Sequence, residues 1–329
     1  MLDKLLPWQQ MLWQQMVSNK KLAHAYLFYG KKGIGKYLFA ERLAHYWLCL
    51  SPVHEQPCGQ CKSCQLLLGS GAHPDIFHLM PEDSEFIKVN QIRALIDFIN
   101  QTPQISPCKV VLLEPAEALN LNAANALLKS LEEPAGNSRL ILVSHQIGQL
   151  LPTIKSRCIQ QLCPLPKQED ALLWMGEALP DLTKEQLSQL LMLAGNAPLY
   201  AVELHQQGIL AQRELVVADM KKLLKQQVVV SQVVEAWNAI PLLVIFDWFC
   251  HWIHIILCFQ VTGDKNTLGA EDMQKVLGYL ADKSTPENVR QLQNKLLQER
   301  QKVLAKANLN RVLLLESVLI DWINLLQAR

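Results

Sequence analysis

The eight residues GKKGIGKY, Gly30 to Tyr37, constrain this chain more than any other stretch. An apolar run before them, AYLFYG at 25 to 30, reads as a strand, and YLFAERLAHYWL at 37 to 48 reads as a helix. Gly30, Gly33, Gly35 and Lys36 therefore fit the G-x-x-x-x-G-K part of a phosphate-binding loop in the strand–loop–helix setting it requires. Glycines let backbone N–H groups close around phosphate oxygens, the helix N-terminus adds positive potential, and the lysine reaches the outer phosphates. The next position must offer a small hydroxyl to a magnesium ion. Tyr37 carries its hydroxyl far out on a rigid ring and cannot take that place without displacing the loop. The stretch reads as a descended phosphate loop in which tight ATP binding is disfavoured. The plain alternative is a glycine turn with solvated lysines.

A second strand signal, in KVVLLEPAEAL at 109 to 119, bears on the same chemistry. A hydrolysing ATPase of this type wants an Asp to hold magnesium and then a Glu to activate water, and here the two positions are Glu114 and Pro115. Proline can neither accept a proton nor orient water. Glu117 is expected to face solvent at the start of a helix. NAANALLKSLEEP, 122 to 134, predicts a helix stopped by Pro134, and RLILVSH, 139 to 145, another buried strand. The alternation over 22 to 163 predicts an α/β domain with a largely parallel sheet. Beyond QLCPLPKQED at 161 to 170 the strand signals fade. A small helical module over about 166 to 208 and a larger all-helical domain after it are expected from the apolar spacing.

Composition excludes several classes. The formal net charge of the 329 residues is +1, so no global field draws the chain onto nucleic acid or anionic lipid, and DNA contact must come from a local patch or an assembly. The run PLLVIFDWFCHWIHIILCF, 241 to 259, approaches membrane-span length. Asp247, His251 and His254 interrupt it and no basic clusters flank it, so it is expected to be a buried helix. MLDKLLPWQQMLWQQM lacks the basic, apolar and small-residue segments of a signal peptide, and a cytoplasmic chain with reduced thiols is expected.

Four of the nine cysteines, Cys49, Cys58, Cys61 and Cys64, are spaced C-x8-C-x2-C-x2-C. Two overlapping C-x-x-C turns and a fourth thiol at a helix end can close a tetrahedral site, and with four sulfur ligands no position is left for catalytic water. A structural Zn2+ is expected. The alternatives are a redox C-x-x-C, or His54 or His73 in place of one thiol. The surroundings are neither basic nor aromatic beyond Lys62, which speaks against a DNA-gripping module.

HAYLFYGKKGIGK, the spaced cysteines, NAANALLKSLEEP and TIKSRC together resemble the AAA+ subunits of the bacterial replicative clamp loader over about 22 to 163. The resemblance implies a Rossmann-like P-loop domain over 1–165 carrying a zinc module at 49–64, a helical lid over 166–208, and a C-terminal collar over 209–329. It implies a five-subunit ring with motor (tau/gamma) and delta subunits, acting with a sliding clamp and primed DNA. Where motor subunits carry a nucleotide-contacting Arg in the lid, this chain has Pro198, in Gly195-Asn196-Ala197-Pro198. Ser144, with His145 beside it, stands where a polar residue senses the outer phosphate. In Ser156-Arg157-Cys158 the family motif is intact, and its Arg157 is implied to reach a neighbouring subunit's ATP as a trans-acting finger. A guanidinium suits that role because it is always charged and its donors match phosphate oxygens; the alternative is a surface ion pair. The resulting expectation is a non-hydrolysing stator. Its rivals are an ATP-hydrolysing motor or helicase loader, a DNA-binding zinc protein, and a P-loop small-molecule kinase.

Overall fold

In the computed structural model, residues 5–18, 23–69, 72–82, 84–134, 136–268, 271–305 and 309–326 are described. The chain divides into two compact units, Met1–Leu204 and His205–Arg329.

The first unit is built on five parallel strands: β1 (Ala25–Tyr29), β2 (Ile76–Leu79), β3 (Lys109–Leu113), β4 (Ser138–Ser144) and β5 (Ile159–Leu162). Their order across the sheet is β2-β3-β4-β1-β5. Ala25 lies opposite Leu140 and Tyr29 opposite Ser144, while Tyr26 pairs with Ile159 on the other side. The helices in chain order are α1 (Gln10–Ser18), α2 (Lys36–Leu48), α3 (Lys62–Gly69), α4 (Val89–Ile99), α5 (Leu121–Glu132), α6 (Pro152–Lys155), α7 (Gln168–Ala178), α8 (Lys184–Leu193) and α9 (Pro198–Gln206).

Strand side chains alternate between two cores, as the two-residue period requires. Leu27, Val111, Leu113, Leu140 and Leu142 pack with Ile92, Leu95 and Ile99 of α4 and Ala123 and Leu127 of α5. On the opposite face Tyr26, Phe28, Val110, Leu112, Ile141 and Val143 meet Phe39, Leu43 and Trp47 of α2 and Trp13 of α1. With both faces covered, the central strands read as continuous apolar runs. Helix α5 starts where Asn120 Oδ1 accepts the Ala123 N–H at 2.8 Å, and its last residue falls two before Pro134.

The second unit is helical: α10 (Ile209–Leu224), α11 (Val230–Ala236), α12 (Leu242–Thr262), α13 (Glu271–Lys283), α14 (Pro286–Leu304) and α15 (Arg311–Asn324). Its core is aromatic. Phe249 of α12 sits 6.1 Å from Trp237, 5.3 Å from Trp252 and 5.0 Å from Trp322, ring centroid to ring centroid. Among the described residues α12 is the one helix long and apolar enough to cross a membrane, and half of its most apolar window is buried in this unit. Asp247, within that run, is held by Arg300 Nε at 2.6 Å.

Candidate functional site

The glycine loop lies between β1 and α2 at the carboxyl end of the sheet, with Gly30, Gly33 and Gly35 at positive φ. Neighbouring chain leaves no room for side chains there. A Cβ on Gly33 would stand 2.3 Å from Tyr200 Cβ, and one on Gly35 2.3 Å from Leu6 Cδ1. Two segments hold the loop by its carbonyls, and the loop holds a third through a lysine. Trp8 Nε1 donates to Ile34 O at 2.9 Å and Gln9 Nε2 to Gly35 O at 2.8 Å. The Leu199 N–H donates to Gly33 O at 2.9 Å, and Lys31 Nζ reaches Gly195 O at 2.7 Å. Pro198 is buried at the start of α9, one residue before that clasp.

Lys36 is 3% exposed, and its ammonium donates to the loop's own Lys31 carbonyl at 2.6 Å. Burial lowers its pKa to about 8, against the pull of Glu114 and Glu117 in the other direction. The hydroxyl of Tyr37 lies 3.0 Å from His78 Nδ1, turned to the end of β2. Burial, with Glu41 and Glu114 nearby, raises the phenol's pKa and keeps it neutral.

At the end of β3 the carboxyl of Glu114 lies 3.4 Å from His145 Nε2. Burial pushes Glu114 up to about 7, more than Lys36 draws it down, and burial with Lys36 and Lys32 pushes His145 down to about 3. The imidazole is therefore neutral near pH 7, so the contact is not an ion pair; the buried Nδ1 has no hydrogen-bond partner. Glu117 departs from its expected place in solvent. Both its oxygens accept the backbone N–H of His145, at 2.9 and 3.2 Å, which fixes the turn after β4. Ser144 is fully buried at the end of β4, and its Oγ accepts the Gln146 N–H at 3.2 Å. Loop, Lys36, Glu114 and Ser144 thus gather at one end of the sheet, as parallel topology dictates for the residues that follow adjacent strands.

Arg157 stands apart from this group in its bonding. Cys158 is anchored in the core with α5, Ser156 Oγ bonds back to Thr153 O at 3.1 Å, and the arginine between them turns outward, its side chain 30% exposed. Its Nε donates to Glu132 Oε1 at 2.7 Å and Nη2 donates to the same oxygen. Nη1 donates to Thr153 O at 3.0 Å. No spacing in the chain marks Glu132 as the partner, because it lies 25 residues from Arg157.

The four cysteines converge. All four sulfurs lie within 4.8 Å of one another, with Cys49–Cys61 and Cys58–Cys64 each at 4.0 Å. A tetrahedron with metal–sulfur bonds near 2.3 Å has edges of about 3.8 Å, so the donor set fits such an ion. Backbone N–H groups point at the sulfurs: Cys58 N to Cys49 Sγ at 3.3 Å and Cys61 N to Cys58 Sγ at 3.3 Å. These are the donors that stabilise thiolates. His73 is not a fourth ligand in waiting; its Nδ1 accepts the Asp75 N–H at 3.0 Å and its Nε2 lies 3.3 Å from Ser106 Oγ. Ser106 Oγ also bonds Leu48 O at 2.9 Å and Ser63 Oγ at 3.2 Å, tying both flanks of the cysteine module to the sheet.

The family described as "DNA polymerase III, delta subunit" matches residues 7–166, and "DNA polymerase III, delta subunit, C terminal" matches residues 207–324. The DNA polymerase III subunit delta' of Pseudomonas aeruginosa is 55% identical over 98% of this chain and 98% of its own. That of Haemophilus influenzae is 35% identical over 64% of each. A crystal structure of a DNA polymerase III gamma-subunit-related protein from Thermotoga maritima shares the fold, with TM-score 0.50, 20% identity and coverage of 96% of this chain and 99% of its own.

Proposed function

The chain belongs to the delta-prime subunits of DNA polymerase III, in the clamp-loader family, and from that premise we propose that it is a non-hydrolysing stator. It stands in a five-subunit ring with motor (tau/gamma) and delta subunits. It supports ATP-driven loading of a sliding clamp onto primed DNA, and it lends Arg157 to the ATP of a neighbouring motor subunit. In this reading residues 1–165, 166–208 and 209–329 serve as P-loop domain, lid and collar, Ser144 is a remnant of a phosphate sensor, and Zn2+ on Cys49, Cys58, Cys61 and Cys64 is structural.

The observation that carries the non-hydrolysing role is the fate of the hydroxyl after Lys36. Tyr37 gives it to His78, and the residue after Glu114 is Pro115, so both the magnesium ligand and the water-activating base are missing. Lys36 spends its ammonium on the loop itself. What supports the finger is the exposure of Arg157 on a rigid anchor, between a cysteine in the core and a serine that closes α6.

The test is ATP hydrolysis by a reconstituted loader with clamp and primed DNA. Three loaders are compared: without this chain, with wild type, and with Arg157→Ala. Wild type is expected to raise the rate, and the Ala chain to assemble without restoring it; fingers supplied in trans contribute up to ~10³- to 10⁵-fold in the best-studied GTPases. Equal rates with both chains would leave the subunit a purely geometric part. Magnesium-dependent turnover by the chain alone would overturn the non-hydrolysing role.

A further inference from the structure

We propose that Glu132 is a latch on the finger: it holds Arg157 parked within its own subunit and sets how readily the guanidinium is released to a neighbour's nucleotide. The inference rests on the finger reading of Arg157 and extends it to the residue that regulates it.

A guanidinium binds an anion best through a pair of parallel N–H groups along one edge. In this chain the edge formed by Nε and Nη2 is spent on Glu132 Oε1, and Nη1 is spent on Thr153 O. Carboxylate and phosphate cannot occupy that edge together. Arg157 must leave Glu132, at least in part, before it can grip a phosphoryl oxygen with the same fork.

The position of Glu132 is not explained by its own helix. It is the last residue of α5, where the helix dipole opposes a negative side chain. Its side chain is 49% exposed, so no requirement of the core fixes it either. What it does have is a cation, Arg157, held by the anchored turn between α6 and β5. Neighbouring Glu133 has the same charge and a similar place at the end of α5, yet the arginine chooses Glu132.

The latch must be weak. Exposed ion pairs are stabilised by little more than thermal energy, so the parked state is favoured only about two- to fivefold over the released one. A group whose active form is a fraction of the population lowers the apparent efficiency of the step it serves by that fraction. Docking of a neighbour that brings a more negative partner, a nucleotide with its transferring phosphoryl group, tips the balance. A partner without nucleotide does not, and the finger stays home.

The experiment is steady-state ATP hydrolysis by the full reconstituted loader, with clamp and primed DNA. The chains are wild type, Glu132→Gln, Glu132→Asp, Arg157→Ala, and the double variant of Glu132→Gln with Arg157→Ala. Glu132→Gln is expected to raise kcat/KM for ATP by up to about three- to sixfold at low salt, with the gain shrinking as salt screens the pair. Glu132→Asp, which keeps the charge, is expected to lie nearer wild type. The gain should vanish in the double variant, because there is no finger left to release. A fall on Glu132→Gln toward the Arg157→Ala rate would overturn the latch and make Glu132 a support that aims the finger. An unchanged kcat/KM, or a gain that persists without Arg157, would also sink it. If Arg157→Ala itself matches wild type, the finger reading fails, and the latch with it; that result is told apart by the single variant alone.

Discussion

Lys36 and Glu114 are both drawn toward neutrality at the end of the sheet: the ammonium down to about 8 and the carboxyl up to about 7, each chiefly by burial. The sign for Glu114 is definite. Its pKa is higher folded than the ordinary 4.5, so the folded state is favoured where the group is protonated and loses that advantage as pH rises from 4.5 through 7. Glu114→Gln removes the cost while keeping a hydrogen-bonding side chain beside His145. It is expected to melt higher than wild type at pH 8, by up to about 3 kcal/mol in stability, and to melt with wild type near pH 4, as thermal denaturation across pH will show. Gly33→Ala should do the reverse at every pH. Its Cβ would meet Tyr200 Cβ at 2.3 Å and Tyr200 N at 2.6 Å, at a φ of +80°, and a loss of at least about 2 kcal/mol is expected. At this scale the sequence shows identity but not partnership. The glycines, Lys36 and the misfit of Tyr37 were all legible from spacing. That Tyr37 turns to His78, Glu117 to the His145 N–H and Arg157 to Glu132 depended on which loops meet in space, and no period in the chain encodes that.

Among the elements, the cysteine module depends most on something outside the chain. Its segment between α2 and α3 has little apolar content, and what organises it is the approach of four sulfurs. Purified chain is expected to carry Zn2+ at about one ion per molecule by elemental analysis, and Cys61→Ser to lose most of it. Because Ser63 and Leu48 beside the cysteines both bond Ser106, stripping the metal with a chelator should lower the melting temperature of the first unit as well as loosen the module. If the chain proves metal-free and melts unchanged with chelator, the four sulfurs are a reduced cluster and no more. The elements themselves were unevenly visible. β1, β3 and β4 announce themselves as apolar runs because they are covered on both faces. The edge strands β2 and β5 were not legible: IFHL is four residues long, and IQQL has Ile159 and Leu162 half exposed with two amides between them. Short edge strands owe their state to the neighbour they pair with rather than to their own composition.

The whole molecule is two compact units in one chain. The second needs nothing from the first to explain its interior: Trp237, Trp252 and Trp322 surround Phe249, all buried. A fragment spanning 205–326 is therefore expected to be helical by circular dichroism and to unfold in a single cooperative transition; a broad, non-cooperative melt would show that this core is incomplete by itself. That α12 belongs to such a core was readable from Asp247 inside its apolar run, which is matched by Arg300. Which face of the helix meets which neighbour was not readable, since it is apolar nearly all round.

The sheet order has a consequence for the chain as it is made. β1 lies between β4 and β5 and pairs with neither of the strands that immediately follow it. When Ala25 leaves the ribosome its partner Leu140 has not been translated, and at ~5–20 residues per second the wait is on the order of ten seconds. During that time AYLFY is an apolar segment with both edges open, and the cysteine module and α4 are synthesised before it finds a place. The sheet of the first unit can therefore be completed only after β4 and then β5 have been made, because both flank β1.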